Sequence, residues 1–486
     1  MMQKNKVGEV LERIYRGFLY VLPAALFFSY HPVMRLGANE GMNFELSIAL
    51  LWLAGFCLVS LVMIFSRGIS LRGFLRKKWW WLLFPVFATV SLCWTENLVR
   101  GILTVLILWA IYFAVFAFYE FRELFDARTR RNFLRAFFGA SLGVCLWCVL
   151  QCILDLCGVS RDFSLMCLGC RTEMFGFPHP NGFAIEPQFM GNLLLAPAIV
   201  SGVLIINDKL VRGDKILERR WVRILLFFVF VASLFLTFSR GAIYAFVVAT
   251  AFYAGFEILR TKKWRAVSLV LVSGLAFLFT LNLQGIFAQV SGTNDTYFSG
   301  VAKVLNHLSL GVIDIRVTDE GEAGAIAEVS EEAVLAEENT VGKNEAVFDG
   351  YVEESTAIRM KLTEAAFKTF SRDVRTMMFG VGIGGAGEAM YLAGEIDSPK
   401  EIVQNEYVSV LLELGIFGAV LAILTLGLIA RVILKNEKSG MVLSLIAAYA
   451  VSLFFFSGLT NALQIYLMPA AFYVINYMSL RKKLVS

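Results

Sequence analysis

The chain has 486 residues, of which 58% are hydrophobic and 17% are Asp, Glu, Lys or Arg. Soluble domains run about 45–50% apolar and about 25% charged, whereas mean hydropathy here is +0.68. That balance excludes a cytosolic enzyme, a secreted disulfide scaffold, a disordered chain and a nucleic-acid binder, and predicts an all-α integral membrane protein. The net charge of +5 is no nucleic-acid signal, because the basic residues sit in segments that flank apolar runs.

A helix needs about 20 apolar residues to cross a bilayer. Twelve such segments are predicted, at 15–34, 46–66, 79–94, 101–119, 136–157, 183–206, 222–238, 241–259, 266–287, 403–430, 441–457 and 462–479. The first holds Pro23 and Pro32 and no small-residue cleavage site, so it reads as a span and not a cleavable signal peptide. With the N-terminus placed in the cytoplasm, the inside segments carry 30 of the 44 Lys and Arg residues. Every crossing then obeys the positive-inside rule, and both termini are expected in the cytoplasm. Arg76-Lys77-Lys78, followed by Trp79, Trp80 and Trp81, reads as an interfacial anchor.

The chain thus divides into spans 1–9 (1–287), a large acidic extracytoplasmic loop between spans 9 and 10 (288–401), and spans 10–12 (402–486). The loop carries 20 Asp and Glu against 9 Lys and Arg. Loops this long are usually functional or disordered. Within it, 354–371 predicts an amphipathic helix with Ile358, Leu362, Ala365, Ala366 and Phe370 on one face. A glycine-rich run from Gly380 to Gly387 follows. It succeeds no βαβ unit, so it is no dinucleotide fingerprint.

Cys145, Cys148 and Cys152 fall at i, i+3 and i+7. A stripe of this kind predicts packing, since free cysteine behaves as a small hydrophobe. Cys167 and Cys170, in an outside loop, leave a local disulfide open. A zinc site takes about four ligands, and only His179 lies near this pair. No metal and no cofactor are expected.

Charges at membrane depth are costly and mark candidate sites. Four places stand out. In Phe177-Pro178-His179-Pro180-Asn181-Gly182, followed by Glu186-Pro187, the prolines prevent a regular helix and the freed backbone must face protein or water. In Thr237-Phe238-Ser239-Arg240-Gly241, two apolar runs meet with almost no loop, so Arg240 lies at or just below the outer surface. Its planar fork suits phosphate. Arg359 lies on the predicted amphipathic helix, where by itself it reads as a solvated charge. Finally, Gln404, Asn405, Glu406, Tyr407 and Glu413 enter the tenth span. Glu406 and Glu413 are seven apart, so they share a helix face that cannot point at lipid. Two carboxylates there fit acid–base work or cation pairing.

In their order, spacing and sidedness, these pieces resemble the O-antigen ligase and O-antigen polymerase superfamily of bacterial envelope glycosyltransferases. The resemblance covers mainly 175–430. It rests on Pro178-His179-Pro180-Asn181, Ser239-Arg240-Gly241-Ala242, an Arg on a helix of the large loop (Ser355 through Arg359), Gly380 to Gly384, and Asn405 spaced before Gly415 and Gly418. The His of the ligase signature is Gln404 here, and Gln cannot act as a base. That departure favours a polymerase-type member or a general glycan transferase over a lipid A-core ligase.

The resemblance implies a polyprenyl-diphosphate-linked oligosaccharide as donor and a glycan or lipid-linked glycan as acceptor. They would react at the outer face of the bacterial cytoplasmic membrane without a metal. It points to Arg240 and Arg359 for the diphosphate. Glu186, Gln404 and Glu406 would serve catalysis, with His179, Asn181, Asn405 and Glu413 as further candidates. The competing class is a glycan transporter or flippase. Such proteins tend to show repeated halves with matching broken helices, and no matching pair is visible in this sequence.

Overall fold

The computed structural model describes residues 6–30, 32–36, 44–69, 79–157, 173–174, 177–184, 186–261, 264–290, 296–308, 350–434, 440–457 and 462–481. Arg76-Lys77-Lys78, Cys167, Cys170 and the acidic first part of the large loop lie outside those residues.

Helices carry the architecture. In chain order they are α1 (Lys6–Phe27), α2 (Ile48–Ser66), α3 (Leu83–Val90, between 3-10 turns), α4 (Leu98–Glu120), α5 (Ala127–Leu156), α6 (Pro187–Ile206), α7 (Arg220–Leu236), α8 (Arg240–Thr261), α9 (Val267–Val290), α10 (Tyr297–Leu308), α11 (Gly350–Phe370), α12 (Val374–Phe379), α13 (Ala386–Leu392), α14 (Glu406–Leu434), α15 (Gly440–Ser452) and α16 (Leu463–Arg481). Each segment predicted to cross overlaps a helix. Seven of these (α2, α4, α5, α6, α8, α9 and α14) are long and apolar enough to span a bilayer. Trp79–Trp94, Gly440–Ser452 and Leu463–Asn476 are apolar but shorter. Two antiparallel ribbons join helices: β1 (Pro32–Leu36) with β2 (Phe44–Ser47), and β3 (Glu173–Met174) with β4 (Phe177–Pro178).

The bundle is built around α6, whose apolar window is 94% buried, against 17% for α14. α6 packs on α7, α8 and α15. Small residues allow the close approach. A Cβ on Gly191 would lie 2.8 Å from the Ala242 methyl, and one on Gly202 would lie 2.9 Å from the Phe227 ring. The first contact sets the start of α6 directly against the start of α8. The outward faces of α9 and α14 present Val270, Leu271, Leu275, Ile423 and Leu426, a surface suited to lipid.

Helices α11, α12 and α13 form an outer layer with its own small core. Leu362, Ala365, Ala366, Met390 and Ile396 pack there against Val408 and Leu412 of α14, with Phe370 at the edge. Ile358, placed on that face by periodicity, is instead 47% exposed. The glycine-rich run anchors the layer to the bundle. At Gly415 the backbone of α14 leaves the helical region (φ 67°). The Leu412 and Glu413 carbonyls accept the N–H groups of Val381 and Gly382, each at 2.9 Å. The Glu413 carboxylate accepts the Gly384 and Ala386 N–H groups. On the opposite side, Thr95 donates to the Ile383 carbonyl at 2.8 Å and Ser91 accepts the Ile383 N–H at 3.1 Å.

The strand of glycines therefore lies between two walls of backbone. A Cβ on Gly382, whose φ is +90°, would sit 2.3 Å from Thr95 Cα. We expect Gly382→Ala to cost at least about 1–3 kcal/mol and to lower the thermal unfolding midpoint of the detergent-solubilised chain by several degrees. Gly427→Ala, which meets nothing within 4 Å, serves as the neutral comparison. Equal midpoints for the two variants would contradict this docking.

Candidate active site

The starts of α6, α8 and α14 and the segment that follows α15 meet at one end of the bundle. Pro187 opens α6, as its missing N–H and fixed φ allow. Glu186 is the N-cap residue in extended backbone; its carboxylate makes no capping bond and is exposed. Gln188 is the connector. Arg359 of α11 donates from Nη2 to Gln188 Oε1, and Gln188 Nε2 donates to the Phe455 carbonyl at 2.5 Å. Arg359 is thus half-buried and fixed to the membrane bundle, which its solvated-face pattern did not foretell.

Arg240 begins α8, half-buried and close enough to Arg359 for the two guanidiniums to repel each other. Its neighbour Gly241 leaves no room for a Cβ, which would lie 2.7 Å from Phe455 Cβ. One turn on, Tyr244 donates to the Leu308 carbonyl at 2.5 Å and packs on the Phe455 ring. Main-chain approach at Gly241 and the amide of Gln188 therefore bring together two cations from separate segments.

The turn before Arg240 is strained. Phe238 has φ 45°, the one positive φ outside glycine among the described residues. A bulky residue in that region costs about 1–3 kcal/mol and often marks a functional site. Two histidines hold the turn. His307 of α10 approaches the Phe238 carbonyl through Nε2 at 3.2 Å. His179 bonds to the Thr237 backbone and sets its ring edge-on to Phe238. Burial pulls the His179 imidazole down to about 3; His307 beside it adds to the effect and the Thr237 bond opposes it. Burial, then the charge of Arg240, pulls His307 down to about 4. Both are neutral at pH 7.

Asn181 is buried, and Gln151 of α5 fixes it. Gln151 Nε2 donates to Asn181 Oδ1 at 3.0 Å, while Gln151 Oε1 accepts the Gly182 N–H at 2.9 Å. Gly182, at φ +58°, has the Met190 sulfur 2.6 Å and the Cys148 sulfur 3.4 Å from a would-be Cβ. Cys145, Cys148 and Cys152 are buried thiols outside any disulfide, and the stripe is a packing surface under this turn. A cleft of about 450 Å³ opens beside it, lined by Phe27, Phe28, Trp147, Leu150 and Phe183. It is apolar, and none of the candidate polar groups lines it.

At the start of α14, the Asn405 side chain caps the helix by accepting the Tyr407 and Val408 N–H groups at 3.1 and 3.2 Å. Glu406 is only 6% exposed. It accepts the Ser457 hydroxyl at 2.9 Å, and its N–H donates to the Leu453 carbonyl at 2.9 Å. Gln404 is half-buried beside it. Glu413 lies deeper, at the glycine-rich docking strand, close to Arg100. The two carboxylates differ in setting: Glu406 faces the 453–457 segment and Glu413 staples the outer layer.

Segment 453–457 joins the two groups of residues, since the Phe455 carbonyl accepts from Gln188, the Leu453 carbonyl accepts the Glu406 N–H and the Ser457 hydroxyl donates to the Glu406 carboxylate. Sequence reasoning missed this bridge, together with Gln151, Gln188 and His307. Gln151 carried a signal, as an amide in the middle of an apolar run. His307 carried another, as one of three histidines in the chain. The bridge carried almost none, because two of its contacts are made by carbonyls.

Among known families, the model of the O-antigen ligase family matches residues 225–423. That stretch holds Arg240, His307, Arg359, Gln404, Glu406 and Glu413. The match supports the O-antigen ligase and polymerase superfamily, with a ligase- or polymerase-type role in polysaccharide biosynthesis. No curated protein matches the chain.

The Gln151 clamp is open to test. Gln151→Leu removes the three hydrogen bonds to Asn181 and Gly182 and takes from the buried Gly182 N–H its acceptor, at about 1–3 kcal/mol for that group. We expect a clear fall in the unfolding midpoint and faster proteolysis in the 173–184 segment. A variant as stable as the parent would show that the clamp is dispensable.

Proposed function

We propose that this protein transfers or polymerises a polyprenyl-diphosphate-linked oligosaccharide at the outer face of the bacterial cytoplasmic membrane. The observation that carries this reading is the close approach of Arg240 and Arg359 at one end of an apolar bundle. Two like charges held together at a partly buried site suit an anion carrying more than one negative charge. A diphosphate meets that description. It is also a good leaving group, so the reaction needs cations where charge develops and a fixed place for the acceptor.

In this scheme the acceptor hydroxyl oxygen attacks the anomeric carbon of the donor glycan. The bond from that carbon to the diphosphate oxygen breaks, and polyprenyl diphosphate leaves with the electron pair. Arg240 and Arg359 stabilise the departing charge, and Gln188 holds the Arg359 fork in place. Glu406, steadied by Ser457, orients the acceptor, with Gln404 and Asn405 beside it. Glu186, exposed at the head of α6, is the remaining acidic candidate for contact with the acceptor. With Gln404 where ligases carry His, polymerisation is the favoured variant. The positive-inside pattern supports the outward-facing site.

Deleting the gene should make single-repeat, lipid-linked glycan accumulate and should shorten or abolish the surface polymer. Arg240→Ala and Arg359→Ala should each lower transfer by about 10²-fold at normal protein levels. Lysine at either position should restore only part of that loss, because it lacks the planar fork. Full complementation by both alanine variants would remove the diphosphate assignment, and failure of lipid-linked repeats to accumulate would remove polymerisation.

A further inference from the structure

The scheme above names no group that takes the acceptor's proton. Gln404 cannot take it. Glu406 already accepts the Ser457 hydroxyl and holds its own N–H on the Leu453 carbonyl, so it is engaged with the 453–457 segment. Beside Arg240, however, stand two neutral imidazoles whose tautomers the main chain dictates. A carbonyl can only accept, so His307 must donate from Nε2 to the Phe238 carbonyl, and its proton-accepting nitrogen is Nδ1. His179 bonds to the Thr237 backbone, and its Nδ1 is buried without a hydrogen-bond partner. The strained turn thus sets both lone pairs from two consecutive residues.

A second buried polar group lies close by. Helix α9 packs on α10, and its Leu281 meets Phe238 and Val304. Three residues further on the same face, Gln284 is fully buried and neither of its amide atoms has a partner. Gln284 and His179 Nδ1 are groups that a hydroxyl-bearing molecule would satisfy.

We propose that His307, with His179 as its buried neighbour, is the group that accepts the proton of the acceptor hydroxyl when the donor diphosphate is bound at Arg240 and Arg359. This rests on the donor-binding reading given above. The groups around His307 explain the dependence on donor. They are His179 from the 177–184 turn, Arg240 and Tyr244 from α8 and, beyond Arg240, Arg359 from α11. Helix α9 contributes no ionisable residue. Without donor, burial first and then the charge of Arg240 keep the imidazole from taking a proton. A bound diphosphate offsets the arginine charge and raises the affinity of the imidazole for a proton. The hydroxyl oxygen then forms its bond to the anomeric carbon. Its proton moves to His307 Nδ1, and from there to the released diphosphate or to water.

The test uses the full chain reconstituted in liposomes, with labelled glycan on a polyprenyl-diphosphate donor. Glutamine retains an N–H able to reach the Phe238 carbonyl but has no nitrogen that takes a proton. We expect His307→Gln to lower kcat by about 10²-fold or more with donor KM within about twofold, and His307→Ala to be no more active. The parent should lose kcat as pH falls through the ionisation of His307 in the donor complex, and His307→Gln should show no such limb. Near-parental kcat in His307→Gln, or a Gln variant far more active than the Ala variant, would assign His307 a structural role and overturn the proposal. If that occurs while Arg240→Ala and Arg359→Ala still impair donor use, only the proton-acceptor assignment fails. If the arginine variants use donor normally, the donor reading fails and this inference with it.

Discussion

Backbone hydrogen bonds have to be satisfied within the protein wherever water is excluded, and in this chain that requirement falls hardest on the Leu412 and Glu413 carbonyls. The departure of Gly415 from helical geometry turns α14 aside at that point. The Val381 and Gly382 N–H groups supply the donors. A break in a membrane helix is tolerated where neighbouring protein restores the lost bonds, and here the restoring segment comes from the outer layer. Everything that layer contributes, including the position of Arg359 on α11, depends on this seam. The glycines are there because side chains on either strand would push the backbones apart.

The electrostatics follow from the same docking. Arg240 is fixed by its position at the first residue of α8, pressed through Gly241 onto Phe455. Arg359 is fixed from outside by Gln188. Neither constraint depends on a substrate, so on the reading proposed above both guanidiniums are placed before the donor arrives and need no rearrangement as charge develops. The cost of setting two cations side by side falls on folding, where the seam and the bundle around α6 offset it. That division suits the proposed reaction, in which a departing diphosphate is stabilised and a hydroxyl is placed.

Much of this was legible in the sequence, because bilayers impose simple rules. Apolar runs marked the helices, and Arg240, Glu406 and Glu413 stood out as charges without an apolar reason. What stayed hidden was long-range pairing. Arg359 read as a solvated helix charge because periodicity reports only which face of α11 is apolar, and says nothing of Gln188 in another segment. Glu406 and Glu413 share a helical face in the sequence, yet a non-helical glycine two residues after Glu413 and a docked loop separate their roles. Ile358 failed its assigned face because the outer layer covers only the part of α11 from Leu362 onward. The glycine-rich run looked like a loop, and became a structural strand only when its partners were known.

The bridge at 453–457 meets two of its neighbours through main-chain atoms: the Leu453 carbonyl accepts the Glu406 N–H, and the Phe455 carbonyl accepts from Gln188. Main-chain contacts are indifferent to the side chain that carries them. These two links therefore make no demand on the side chains at 453 and 455, whereas the packing of Gly241 and Tyr244 on Phe455 does. A single inserted or deleted residue is another matter, because it would shift both carbonyls out of register at once. The length of the stretch should therefore stay fixed.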